Sequence, residues 1–113
     1  MSSLESLRHR MREYDEKLKL LNAQKQETME LIDSLEREDY PYARQRSELR
    51  AQHVDWNDPR SIALSEKREE LSRRTGKARA LLTDICSDIQ HWEDLESVAR
   101  YQLQIAEKNA NAH

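Results

Sequence analysis

Three side chains near the C-terminal end have the spacing of metal ligands. Asp84, Asp88 and His91 stand at positions i, i+4 and i+7, so they share one face if the segment is helical. A carboxylate and an imidazole three residues apart on a helix can bind one metal ion together. Such a site needs ligands from a second helix, and the N-terminal part of the chain has no Glu-x-x-His pattern to supply them. We therefore interpret these residues as a solvated acidic face and predict no metal site and no cofactor.

Nucleophilic and phosphate-binding chemistry have equally little support. The single cysteine, Cys86, has no histidine or basic residue at a helical spacing that would activate its thiol. The tripeptide from Thr75 to Lys77 is not a phosphate loop, because the upstream glycine and the following Ser or Thr are absent. We therefore predict that the protein is not an enzyme.

Basic residues form the strongest candidate for an anion site. They cluster in two segments, one before residue 51 and one after residue 72, as Arg44, Arg46, Arg50, Arg73, Arg74 and Lys77. Such a cluster can bind phosphates or an acidic partner. Glu66, Glu69 and Glu70 lie one turn upstream of the second segment and would neutralise much of its charge. A salt-bridged surface is the preferred interpretation, and nucleic-acid binding is the alternative.

The composition restricts the fold to a few long helices. The 113 residues include one Gly, two Pro and no Phe, and 36% are charged. A sheet would need many more turn residues, whereas long helices need few. The net charge of −3 argues against a general attraction to nucleic acid or an anionic membrane. With no apolar run long enough to span a membrane and only one cysteine, we predict a cytoplasmic protein.

The first helix is predicted over residues 3–38. Ser2 and Glu5 fit a capping box at its start, and Pro41 disfavours a helical residue before it. Its mainly apolar stripe alternates steps of three and four residues, which is the pattern of a coiled-coil seam. The stripe comprises Leu4, Leu7, Met11, Tyr14, Leu18, Leu21, Lys25, Thr28, Ile32 and Leu35.

A connection follows, with a possible short helix over residues 41–54, and then a second long helix over 59–108. Asp58 is the predicted N-cap and Pro59 the first helical residue. Gly76 is interpreted as a tolerated interior glycine, with a hinge or a close helix crossing as the alternative. Residues 109–113 are predicted to fray, and residues 1–113 form one domain. The second stripe is Leu64, Arg68, Leu71, Thr75, Ala78, Leu82, Ile85, Ile89, Trp92, Glu96, Ala99, Leu103 and Ala106.

Because a narrow apolar seam is unstable in water, the two helices are predicted to pair as an antiparallel helical hairpin. The favoured register pairs Tyr14 with Ile85 and sets the polar position Lys25 opposite Thr75. The alternative is shifted by one heptad and pairs Leu21 with Ile85, which would oppose the Lys25 charge to a leucine. In the favoured register the segment 98–106 extends beyond the first helix.

Apolar residues off the seam suggest that two hairpins assemble into a dimeric bundle. The extended segment and the second tryptophan give the partner-binding residues, which are Val98, Tyr101, Leu103, Ile105 and Trp56. The leading hypothesis is a non-enzymatic protein–protein interaction module, such as a regulator, inhibitor, secretion chaperone or assembly factor, that forms a homodimer. The alternative is a nucleic-acid-associated accessory protein that uses the basic cluster.

Overall fold

A computed structural model describes residues 3–112, which form two α-helices. Helix α1 comprises Ser3–Ala51 and helix α2 comprises Pro59–Asn111. The two helices pack against each other in opposite directions, which confirms the predicted all-α hairpin. Ser2 of the predicted capping box lies outside the described residues. No helix within residues 3–112 is both long enough and apolar enough to cross a membrane.

Helix α1 continues through Pro41, so the predicted end near residue 38 and the separate helix over 41–54 are wrong. An interior proline costs about 3 kcal/mol, because it removes one backbone hydrogen bond and its ring crowds the preceding turn. Contacts with α2 on both sides of Pro41 oppose that cost. Asp39 forms an ion pair with Arg68, and the Lys67 ammonium lies 5.9 Å from the centre of the Tyr42 ring. These contacts offset part of the cost, and the helix continues through Pro41 to Ala51.

The end of α1 is a Schellman motif. The Val54 amide donates to the Leu49 carbonyl at 3.0 Å, and the His53 amide donates to the Arg50 carbonyl at 3.0 Å. His53 itself has a φ of 57°, in the left-handed region that usually holds glycine at this position. The helix therefore ends at Ala51, thirteen residues after its predicted end at residue 38.

Helix α2 begins as predicted and ends later than predicted. The Asp58 carboxylate accepts a hydrogen bond from the Arg60 amide at 2.8 Å, which makes Asp58 the N-cap and Pro59 the first helical residue. The helix continues to Asn111. The predicted frayed tail over residues 109–113 is therefore helical over 109–111, and His113 lies outside the described residues.

The helices form two compact units, each made of one segment from α1 and one from α2. Unit 1 comprises Met1–Gln26 and Thr83–His113, and unit 2 comprises Glu27–Leu82. Every predicted seam position is buried or half-buried, which confirms both stripes. The buried side chains of unit 1 are Leu21, Ile85, Ile89 and Ala99, and those of unit 2 are Thr28, Ile32, Leu35, Leu64, Leu71 and Ala78.

The register is the alternative one, shifted by a heptad from the favoured prediction. In unit 1 the Tyr14 ring lies against Trp92, with centroids 5.6 Å apart, rather than against Ile85. Leu21 belongs to one buried cluster with Ile85 and Ile89. In unit 2, Asp39 and Arg68 form two parallel hydrogen bonds of 3.0 Å. The favoured pairing of Lys25 with Thr75 is therefore wrong.

The polar seam positions Lys25 and Thr75 did not decide the register, because each is satisfied without contact with the other. The Thr75 hydroxyl donates to the Leu71 carbonyl of its own helix at 2.8 Å. Lys25 is only half-buried, and a lysine stem can lie along apolar surface while its ammonium stays in water. One polar pair that does join the two helices is Asp39 with Arg68, and Asp39 lies beyond the predicted end of the first helix.

Candidate interaction surfaces

The predicted extension of residues 98–106 beyond the first helix is wrong. Arg8, near the start of α1, lies 3.5 Å from the Glu107 carboxylate of α2, so α1 reaches the whole segment. Ala99 is buried and Leu103 is half-buried on the seam side. Leu103, a predicted partner contact, therefore gives much of its surface to the interior of unit 1.

Three of the predicted partner-binding residues form an exposed apolar surface on unit 1, which we call the outer face. Val98, Tyr101 and Ile105 are 57%, 65% and 43% exposed. Their spacing of i, i+3 and i+7 places them on one side of α2, away from the seam. The structure thus brings these three together without covering them.

The other side of α2 is held against α1 by aromatic contacts and charges. Trp92 is half-buried, contacts Tyr14 and has the Lys17 ammonium 5.8 Å from its ring centre. Glu96 forms an ion pair with Arg100 on its own helix. A hydrogen bond with Asp15, together with partial burial and the Asp15 charge, raises the pKa of Glu96, and Arg100 acts in the opposite direction.

A second surface lies in unit 2, where the connection meets both helices, and we call it the Trp56 pocket. It encloses about 300 Å³ and contains three of the predicted site residues, Arg46, Arg50 and Trp56. The remaining predicted basic residues, Arg44, Arg73, Arg74 and Lys77, are not part of its wall. The pocket is lined by Arg46, Leu49, Arg50, Val54, Trp56, Ser61, Leu64, Ser65 and Arg68.

The arginines of the Trp56 pocket differ in how their charge is balanced. Arg68 is occupied by Asp39, which raises the pKa of Arg68 through their hydrogen bonds. Neither Arg46 nor Arg50 forms an ion pair with any side chain of residues 3–112. The Trp56 indole beside them is 86% exposed.

No family model matches this chain, and neither a curated protein nor a solved structure is significantly similar to it. Function has to be inferred from the surfaces themselves.

A larger groove in unit 2, of about 760 Å³, is electrostatically balanced. Arg79 pairs with Glu36 at 2.7 Å and Arg68 pairs with Asp39 at 3.0 Å, and all four residues line the groove. Gly76 is also in its wall, and a β-carbon there would have no other atom within 4 Å. The close helix crossing considered for Gly76 is therefore absent.

The basic segment after residue 72 is partly neutralised, as the sequence predicts. Arg73 donates two hydrogen bonds to Glu70, at 2.6 and 3.1 Å. The hydrogen bond from Arg73 lowers the pKa of Glu70, and the charges of Arg74 and Lys77 lower it further. This segment is a mixed-charge surface and does not extend the Trp56 pocket.

The residues first considered for metal and thiol chemistry are all exposed. Asp84, Asp88 and His91 lie on the surface of α2, and His91 contacts the edge of Trp92 with centroids 5.8 Å apart. Among residues 3–112 no three potential metal ligands converge. The Cys86 thiol is free and exposed.

The Asp39–Arg68 pair is one feature of unit 2 that sequence reasoning missed. A signal for it exists, because Asp39 and Tyr42 continue the steps of four and three residues after Leu35. Pro41, which predicts the end of the first helix, hides this continuation in the sequence.

Proposed function

We propose that this chain is a non-enzymatic helical module that binds a partner protein through the outer face of Val98, Tyr101 and Ile105. The observation that supports this function is the exposure of the outer face on a helix whose other side packs against α1. An apolar helix face of this spacing fits a hydrophobic groove or a second helix. Regulators, inhibitors, secretion chaperones and assembly factors work in this way. The proposal includes a cytoplasmic location and needs no cofactor.

The outer face can contribute to an interface the burial that its side chains have not already gained in unit 1. Complete burial of a Val or Ile side chain contributes about 1.5–3 kcal/mol. An aromatic side chain such as Tyr101 contributes comparable apolar area and a hydroxyl that can reach the edge of an interface. Three such side chains on one side of α2 therefore support an interface centre, to which surrounding contacts add.

A second copy of the chain is included among the proposed partners. Isologous dimers use the same surface on both subunits, and a helix face can pack on its own symmetry mate. Leu20 of unit 1 and Leu31 and Leu81 of unit 2 are further exposed apolar side chains that an assembled bundle would cover. A homodimer is thus one form of the proposed module.

The test compares two triple variants of the full-length protein. V98S/Y101S/I105S removes the outer face, whereas E93S/Q104S/N111S changes three exposed residues that lie on a different side of the same helix. Molar mass is measured by light scattering, and partners are captured from the source cell with each variant. We expect the first variant either to have the molar mass of a single chain or to capture no partner. The second variant should have the same molar mass and capture the same partner as the unchanged protein. If both variants behave like the unchanged protein, the proposal is wrong.

Nucleic-acid binding remains the alternative proposal, supported by the unpaired Arg46 and Arg50. It is weaker because three neighbouring arginines are neutralised: Arg68 by Asp39, Arg73 by Glu70 and Arg79 by Glu36. Nonspecific binding to a nucleic acid needs several available cations along the phosphate backbone. Absence of binding to duplex DNA and RNA at low salt would eliminate this alternative.

A further inference from the structure

We infer that the Trp56 pocket is a second binding site, which accepts an acidic protein segment in which a carboxylate adjoins an aromatic or aliphatic side chain. The site lies in unit 2 and shares no residue with the outer face of unit 1. It therefore goes beyond the proposed function and stands independently of it.

The cationic side of the pocket is formed by Arg46 and Arg50. They are one turn apart on α1, so both guanidinium groups reach the same opening. Within residues 3–112 they have no carboxylate partner, whereas Arg60 is paired with Asp58 and Arg68 with Asp39. An unpaired guanidinium can bind a carboxylate through two parallel charge-assisted hydrogen bonds. The chemistry of this side therefore selects an anion.

The apolar side is formed by Trp56 with Leu49, Val54 and Leu64. Leu64 is buried, Leu49 and Val54 are half-buried, and together they form an apolar wall beside the arginines. Trp56 is 86% exposed, so its indole contributes little to the burial that stabilises unit 2. Tryptophan and arginine are the residue types most enriched at the energetic centres of protein interfaces. The ligand accordingly has an apolar group next to its negative charge.

The charges around the pocket favour a short acidic segment over a long polyanion. Two arginines at one opening suit one or two carboxylates, whereas a nucleic-acid strand needs a continuous track of cations. The neighbouring groove shares Arg46, Ser65 and Arg68 with the pocket, but carries carboxylates. A polyanion that continued from the pocket into this groove would meet Glu36, Asp39 and Glu69.

The test uses a fluorescein-labelled peptide of alternating Glu and Phe, titrated with the full-length protein at low salt. Binding is measured by fluorescence anisotropy, and circular dichroism checks that each variant keeps its helix content. We expect R46E/R50E to weaken binding about tenfold or more, because it replaces attraction with repulsion. W56A should weaken it several-fold through the loss of apolar contact. The matched control R44E/R74E makes the same change in net charge outside the pocket and should leave the affinity within about twofold.

Three results would overturn the inference. The first is no binding of the Glu-Phe peptide, and the second is an equal loss in the R44E/R74E control, which would indicate only a general charge effect. The third is tighter binding of a single-stranded oligonucleotide through Arg46 and Arg50, which would make the pocket a nucleic-acid site. The V98S/Y101S/I105S variant should still bind the peptide, so the outcomes for the two surfaces can be separated.

Discussion

The protonation of Glu96 is linked to the helix pairing of unit 1. It occupies a seam position, where hydrogen bonding to Asp15 raises its pKa above the ordinary value of 4.5, with burial and the Asp15 charge adding to the effect. The protonated form is therefore favoured more strongly in the folded chain than in the unfolded chain. The stability that this group contributes is fully present below about pH 4.5 and is lost as the pH rises through the raised pKa.

We predict that E96Q removes this part of the pH dependence, because an amide can donate to Asp15 and does not titrate. Urea unfolding measured at successive pH values from about 4.5 upward should show a decline for the unchanged protein and a flatter profile for E96Q. The control E93Q, at an exposed position of the same helix, should keep the decline. Glu70 does not interfere. Its pKa is lowered, so the stability that it contributes is lost only as the pH falls below 4.5. A decline that persists in E96Q would contradict this assignment.

His53 holds a backbone conformation that a glycine would adopt without strain. A non-glycine residue in the left-handed region costs about 1 kcal/mol or more. Glycine avoids this strain, although its greater freedom in the unfolded chain cancels part of the gain in stability. We expect H53G to raise the free energy of unfolding by about 0.5–1 kcal/mol. H53A keeps the strain and should show no such gain. Lower stability in H53G than in H53A, which both lack the imidazole, would contradict the assignment of backbone strain to this position.

At the scale of the helix, Gly76 is a weak point within α2. Its position is exposed, and an added β-carbon would meet no atom within 4 Å. G76A should therefore stabilise the protein by about 0.5–1 kcal/mol, because alanine loses less backbone entropy on forming a helix. Thermal unfolding followed by circular dichroism measures this change. A loss of stability would show that Gly76 serves a conformational role that alanine cannot fill.

The pairing of the two helices in unit 2 can be tested through Asp39 and Arg68. A double-mutant cycle of D39A and R68A should give a coupling energy of about 1 kcal/mol, typical of a partly buried bidentate pair. The combination of D39A with R73A is the control and should be additive, since Arg73 pairs with Glu70 on its own helix. In the register that the sequence favoured, Asp39 and Arg68 would not meet, and their cycle would also be additive.

At the scale of the whole molecule, assembly should appear as a dependence of stability on protein concentration. If two copies associate through the outer face, mass action raises the unfolding temperature as the concentration increases. The V98S/Y101S/I105S variant should unfold at a temperature that does not change with concentration. A constant unfolding temperature for the unchanged protein would rule out the homodimer and leave a different protein as the partner.

The elements and their buried faces could be predicted from the sequence because they depend on local rules. Steps of three and four residues between apolar positions identified both stripes, and Asp58 with Pro59 identified the start of α2. The grouping of Val98, Tyr101 and Ile105 followed from the same helical geometry. Their exposure did not, because it depends on which side of α2 meets α1.

The register and the Trp56 pocket were decided by tertiary structure alone. Two registers one heptad apart present the same seams, and the free-energy difference between them lies in a few cross-helix pairs such as Asp39 with Arg68. That pair required α1 to continue beyond its predicted end at residue 38, where contacts with α2 on both sides of Pro41 offset part of the local cost of proline. The pocket likewise required the chain to turn at the left-handed His53 after α1 ends, which brings Trp56 beside Arg46 and Arg50. The sequence by itself therefore determined two helices and their inner faces, and only their packing determined which residues meet.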